Sequence, residues 1–370
     1  MNAPATIAVS PLPGAGSRRA FTLIELLVVF IIIAILAALS LTGLAGARQR
    51  AKIDKTKSTI RKIHEIVVPH YESFTEKRVP GPRFVKGQPT ATDILPIYTV
   101  WIDTSANPPR AWINDKPGAA WIGPSTDTRK TIAEGRLKTL RLMQLLDLPD
   151  QWDDVVGGGP FSWQVGQVGT LMSAAARRYS QFAGGKSFAD QWESAECLAL
   201  IVTRGGFAGD ATETFRTDEM GDVNANGAPE FLDAWGQPIQ FVRWPVGYTM
   251  SATTGRPAVT RTLQTGDAVA DHDPLDPMKV APADYRVIPL IFSGGPQGSG
   301  IDPLSTDNND KAFGVRATGN AIGAGWAPPG GPGLMTINPP VANQPIYPPG
   351  AVFDSSRFRD DITNHDLITK

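Results

Sequence analysis

The segment from Arg19 to Leu44, RAFTLIELLVVFIIIAILAALSLTGL, constrains this chain more than any other. Arg18 and Arg19 open it, Leu26 through Leu39 are apolar without a break, and Glu25 is the one charge between Arg19 and Arg48. At ~1.5 Å per helical residue, Leu26–Leu44 is about long enough to cross a ~30 Å hydrocarbon core. A secretory signal has a shorter apolar region followed by a small-x-small cleavage site, and Ala45-Gly46-Ala47 offers such a site as the competing reading. A carboxylate in a membrane span costs a few kcal/mol or more, so Glu25 asks for a functional reason. Its plainer alternative is an acid just inside the interface that snorkels to water.

Composition narrows the class. A chain of 370 residues holds one large domain or two small ones. A formal net charge of -1 gives no electrostatic case for nucleic acid. Charged residues are only 19% while Gly (37) and Pro (32) are abundant, which points to a loop-rich extracytoplasmic domain rather than a compact helical enzyme. Cys197 is the only cysteine, so no intramolecular disulfide forms, and metal is the obvious alternative staple. Within SAECLALIV, Cys197 itself reads as a small buried apolar residue.

The organisation predicted along the chain is α+β. Residues 1–20 read as a leader and 21–74 as one long helix. The first half of that helix is the membrane half. The second half is amphipathic, with Ile53, Thr56, Ile60, Ile63, Val67 and Phe74 at three- and four-residue steps, and packs on a globular domain. Its other face carries Arg48, Arg50, Lys52, Lys55, Lys57, Arg61 and Lys62, a solvated surface or one facing anionic lipid or neighbouring subunits. Pro69 should end or kink the helix. Residues 75–215 form an elaborated middle. Arg78–Pro124 reads as irregular, and helices are expected over Thr131–Leu146, Gly166–Gln181 and Phe188–Thr203. In residues 216–370 the runs IQFVRWP and RVIPLIFSG predict a small antiparallel sheet, and Pro328–Pro349 a long surface loop.

One segment has the spacing of a calcium loop: Asp222–Asp233, DVNANGAPEFLD. Asp222, Asn224 and Asn226 take positions one, three and five, and Gly227 the sharp turn at six. The Ala228 carbonyl follows at seven, Glu230 at nine and Asp233 at twelve. Hard oxygens on alternate residues converge on one cation when the loop curls. Asp at position twelve and Pro229 depart from the usual pattern, and an Asn/Gly turn with capping acids is the plainer reading. Catalytic signatures are missing from the sequence. His64, His70, His272 and His365 fall in no metal spacing, and there is neither a GxSxG elbow nor a CxxC pair. The chain therefore does not read as an enzyme.

The basic start, apolar run and early acid resemble the class III leader and first helix of type IV pilins and type II secretion pseudopilins. The resemblance implies that a prepilin peptidase cleaves between Ala20 and Phe21 and that Phe21 is then N-methylated. Ala20 stands where that family usually has Gly. It further implies that Glu25 pairs with the free amino terminus of a neighbouring subunit and sets register in a filament. A second segment, Asp233–Phe241 (DAWGQPIQF), resembles the D-P-W-G-x-P-Y-x-Y segment of the major pseudopilin. Ile291–Gly298 is similar to the strand that ends in S-x-G-x-D-G in that family, with Gln297 in place of the acid. A calcium ion ties the following loop in major pseudopilins, so Asp302, Asp307, Asp310, Asp360 and Asp361 become candidate ligands by resemblance.

The implied function is a structural subunit of a secretion pseudopilus. It sits in the inner membrane as a single-pass protein with a periplasmic C-terminal domain. Its implied partners are copies of itself, the prepilin peptidase, minor pseudopilins and the inner-membrane secretion platform. Basic residues outnumber those before the run on its C-terminal side, which alone would place the C-terminus in the cytoplasm. The orientation adopted follows the resemblance. A minor pilin whose enlarged middle binds a ligand at a fibre tip, and a membrane-anchored binding module, are the alternatives.

Overall fold

A computed structural model describes residues 22–90, 92–93, 95, 97–114, 121–156, 171–184, 192–207, 211–245, 272–282, 286–297 and 362–368. Its helix α1, Leu23–Glu72, runs for 50 residues without interruption. Pro69 lies inside its last turn rather than breaking it, and the chain leaves through a 3-10 turn at Ser73–Glu76. A proline that close to the end removes one backbone hydrogen bond from a turn that was about to stop. By contact the chain divides into two units, Met1–Ala51 and Lys52–Lys370.

In the first unit the large apolar side chains of α1 are exposed all round, from Leu23 (85%) through Ile32 (51%) to Leu39 (66%). Among the described residues no helix is long and apolar enough to cross a membrane. The unbroken apolar run Leu26–Leu39 corresponds to about 21 Å of helix, short of a ~30 Å core.

In the second unit α1 and the 3-10 turn after it bury one stripe: Ile60, Ile63, Val67, Tyr71 and Phe74, spaced by three and four residues. That stripe shares a core with α2 (Thr128–Asp147), α5 (Glu193–Arg204) and strands of the C-terminal region. Helix α2 starts at an Asp127 cap, which accepts the Lys130 N–H at 3.0 Å. It contributes Leu137, Leu140, Leu145 and Leu146. Two shorter helices, α3 (Asp153–Val156) and α4 (Ala174–Ala183), pack together beside α5. A second cluster there encloses Trp152, Tyr179 and Cys197. Cys197 is fully buried, and burial pushes its thiol pKa up, so it behaves as the small apolar residue its sequence context implies.

The stretch expected to be irregular holds a four-stranded sheet: β1 (Arg83–Val85), β2 (Val100–Asp103), β3 (Arg110–Ile113) and β4 (Ile122–Ser125), in that order. Strands β1 and β2 are parallel and the other pairs antiparallel. Val100, Ile102, Ala111 and Ile113 face Ile132 of α2. The helix comes so close that a Cβ at Gly135 would meet Val100 Cγ2 at 2.5 Å. Strands of three or four residues, each bounded by Pro or Gly turns, carry too little alternation to be recognised in advance.

The described part of the C-terminal region holds two small antiparallel sheets where one was expected, and Pro328–Pro349 lies outside the described residues. Strands β5 (Met220–Gly221) and β6 (Glu230–Phe231) flank the Asp222 loop. Strands β7 (Gln240–Val242), β8 (Leu290–Ser293) and β9 (Ile362–Thr363) pair in that order, and α6 (His365–Ile368) closes the described chain. Helix α5 lies against β6 and β7.

Candidate functional site

Two places carry the residues that the sequence singled out. The first is the start of α1. Thr22 is its N-cap, and Glu25 stands at the third helical position. The Thr22 N–H and hydroxyl both donate to Glu25 Oε2 at 2.9 Å, and the Glu25 N–H donates to Thr22 Oγ1 at 3.3 Å. This is a reciprocal capping box, which satisfies two orphan donors at the helix end. The carboxylate is thereby held over the N-terminus of its own helix, at the positive end of the helix dipole. Ala20 and Phe21, the residues at the expected cleavage point, lie outside the described residues.

The second place is the Asp222 loop. Asp222 Oδ2 accepts the Gly227 N–H at 2.9 Å, and Asp222 Oδ1 accepts the Asn226 N–H at 3.1 Å. Asn224 Oδ1 accepts from Asn226 N–H at 3.2 Å, and Asn226 Oδ1 from Ala228 N–H at 2.8 Å. Gly227 has φ +95°, the left-handed conformation that the sharp turn requires. The side chains at positions one, three and five thus each accept a backbone N–H further along the loop. Glu230, fully buried, accepts the Val223 N–H at 3.0 Å through Oε2.

Asp233 points elsewhere. Its Oδ1 accepts the N–H groups of Trp235 (2.8 Å) and Gln237 (2.9 Å), and its Oδ2 accepts the Ser293 hydroxyl at 2.7 Å. Burial pushes the Asp233 carboxyl above the usual carboxylate range, against the pull of those hydrogen bonds. The DAWGQP turn and the FSGG segment at the end of β8, two stretches singled out in the sequence, are therefore joined side chain to side chain.

A carboxylate that sequence spacing did not flag lies against the loop instead. Glu196 of α5 is buried, and its Oε1 accepts from the Asn224 amide at 2.9 Å and the Asn226 amide at 2.6 Å. Trp152 Nε1 donates to its other oxygen at 2.5 Å. Among the described residues no group of three or more His, Cys, Asp or Glu side chains is placed to hold a metal. Any cation at this loop would draw on Asn carboxamides and backbone carbonyls as well as carboxylates. Asp302, Asp307, Asp310, Asp360 and Asp361 lie outside the described residues.

The two places are built very differently, and the first falls within a matched family model. Residues 16–41 match the family model described as the prokaryotic N-terminal methylation motif, the signature of type IV pilin and pseudopilin prepilin-type proteins. The chain carries a prepilin-type N-terminus. No curated protein and no solved structure matches it. The motif implies processing by a prepilin peptidase and filament assembly in general, and it is consistent with a membrane-anchored N-terminus. The capping box adds a detail to the motif. The acid of the motif is already engaged by Thr22 in the single chain.

Glu219 is a further residue that sequence reasoning passed over. It accepts from the Thr59 hydroxyl at 2.7 Å and from Lys62 at 2.9 Å, fastening the second half of α1. The surplus of lysine on that half was the available signal, since buried or half-buried cations call for acids nearby.

Proposed function

We propose that this chain is a structural pseudopilin subunit of a type II secretion system, anchored in the inner membrane by the first half of α1 with its C-terminal domain in the periplasm. The observation that carries the reading is the methylation motif over residues 16–41, joined to a helix whose large apolar side chains from Leu23 to Leu39 are exposed. In sequence the apolar character continues past Leu39 to Leu44 within the same helix. Bilayer lipid covers that surface before assembly, and neighbouring helices cover it afterwards. Cleavage before Phe21 releases an α-amino cation next to the capping box. In the filament the Glu25 carboxylate exchanges Thr22 for the amino terminus of the neighbouring subunit. A charge of either sign buried alone is far more costly than the pair.

Mass spectrometry of the mature protein from membranes tests this directly. A chain that begins with N-methylated Phe21 is expected. A start near Ala47, or an intact Met1, would remove the amino group that Glu25 needs and the assembly mechanism with it.

The same reading places calcium at the Asp222 loop. Asp222, Asn224, Asn226 and the Ala228 carbonyl would hold the ion, with Glu230 beside them, while Asp233 stays with its turn. The support is the alternate-residue spacing and the hydrogen bonds of those side chains to the loop backbone. A bound ion would hold the loop of the β5–β6 hairpin closed, and the Asn224 and Asn226 amides would carry that order to Glu196 of α5. At 100-fold excess over its dissociation constant it would add about 2.7 kcal/mol, a rise of several degrees in melting temperature. An unchanged melting temperature on chelation would dispose of the ion.

A further inference from the structure

Seven basic residues lie on α1 between Arg48 and Lys62, against one acid, Asp54. The structure sorts them into groups. Lys52 sits over the Trp235 ring at 5.8 Å, Lys55 pairs with Asp218 at 2.7 Å, and Lys62 pairs with Glu219 at 2.9 Å. These three serve the fold of the second unit. Arg48 and Arg50, in the first unit, are exposed. At about 100° per residue they project from opposite sides of the helix. A helix that rests on one protein neighbour would gather both on one face. A girdle suits a medium that surrounds the helix, as the even exposure of the apolar side chains from Leu23 to Leu39 also does.

Distance along the helix then decides what that medium offers. At ~1.5 Å per residue, Arg48 and Arg50 stand about 6 and 9 Å beyond Leu44, the last large apolar residue before the basic stretch. A headgroup layer is roughly 5–8 Å thick, so both guanidinium groups fall within its reach. Lys57 and Arg61 lie further along the sequence, in the second unit, and serve as the comparison. Both residues within reach are arginines, whose planar fork matches the two oxygens of a phosphodiester.

We propose that Arg48 and Arg50 form a collar that binds the phosphates of anionic phospholipids and fixes the depth of the helix. The collar rests on the membrane-anchored reading of α1 given above. It adds a lipid class and two residues with a role that the methylation motif does not reach.

The test uses the full chain reconstituted in equimolar phosphatidylcholine and phosphatidylglycerol vesicles. Trace spin-labelled phosphatidylglycerol or phosphatidylcholine is added, and the motionally restricted fraction of each is read by electron paramagnetic resonance. The expected preference for phosphatidylglycerol is about fivefold or more. It should fall close to one in Arg48→Gln/Arg50→Gln and in high salt, and stay unchanged in Lys57→Gln/Arg61→Gln. Restricted lipid with no preference, or an equal loss in both double variants, overturns the collar. A filament defect in Arg48→Gln/Arg50→Gln with the lipid preference intact also overturns it, and assigns the arginines to a second copy of the chain. No restricted lipid of either kind overturns the anchoring itself, which is a different spectrum from restricted lipid without preference.

Discussion

The two halves of α1 share one backbone and almost nothing else. From Leu23 to Leu39 every large apolar side chain is at least about half exposed. From Thr56 to Phe74 the apolar positions are confined to one stripe, and that stripe is buried. A helix apolar all round needs an apolar surrounding, whereas an amphipathic helix needs only one partner. The second half finds that partner within its own chain. It is fastened by Thr59 and Lys62 on Glu219, by the Ala234 N–H donating to Thr56 Oγ1 at 3.1 Å, and by the core under Ile63 and Phe74. The first half has local hydrogen bonds at Thr22 and Glu25 and exposed apolar side chains. Periodicity in the sequence therefore reports where the covering material comes from, not merely that a helix forms.

The sharpest way to break this comparison is to shave a side chain from each half. Ile63→Ala removes a fully buried side chain and should cost about 2–5 kcal/mol in denaturant unfolding of the full chain. Ile33→Ala, at an exposed site, should leave the same transition in place. Equal losses would mean that the first half is packed within the single chain.

Acid should separate the halves next. All the histidines of α1 are in its second half: His64 and His70. Burial pushes His70 down to about 4, although Asp147 lies 3.8 Å away and pulls upward. Burial likewise holds His365 at about 4 and lowers His64, which accepts or donates at 3.1 Å to Asn364. A histidine near 6.5 in the unfolded chain and near 4 in the folded one is neutral in the native state. Its contribution is complete above pH ~6.5 and is lost as pH falls towards ~4, because only the unfolded chain takes up the proton. The loss should be on the order of 1–3 kcal/mol per histidine. His70→Phe should flatten the fall between pH 7 and 5, since the ring at this position stacks on Phe207 at 3.6 Å and needs no charge. An undiminished slope would shift the effect to His365 and the C-terminal segment.

Much of this was legible in the sequence where the signal was local. The long helix, the amphipathic stripe, the Asp233 turn and the burial of Cys197 each follow from patterns within a few residues. Contacts between distant residues were not legible. Glu196 meets Asn224 and Asn226 across separations of 28 and 30 residues, and Glu219 meets Thr59 across 160. No periodicity encodes such meetings. Strands β1 to β4 escaped for a different reason, since turn residues outweigh the three or four positions of each strand. The capping box is written in the sequence as Thr-x-x-Glu at residues 22–25.

That capping box gives the smallest expected effect. Thr22→Val keeps the shape of the side chain and the backbone N–H that donates to Glu25, but removes the hydroxyl that bonds Glu25 in both directions. In the full chain held in detergent micelles, the first-turn amides should exchange with deuterium a few-fold faster. Amides from Thr56 to Phe74 should not change, because their protection comes from the core rather than from the helix end. The variant also separates the two roles of Glu25. Loss of the hydroxyl weakens the hold of the single chain on the carboxylate without removing its charge, so filament assembly should survive Thr22→Val and fail in Glu25→Ala. Protection lost along the whole helix would show that its halves open together, and the contrast between them would then be one of exposure alone.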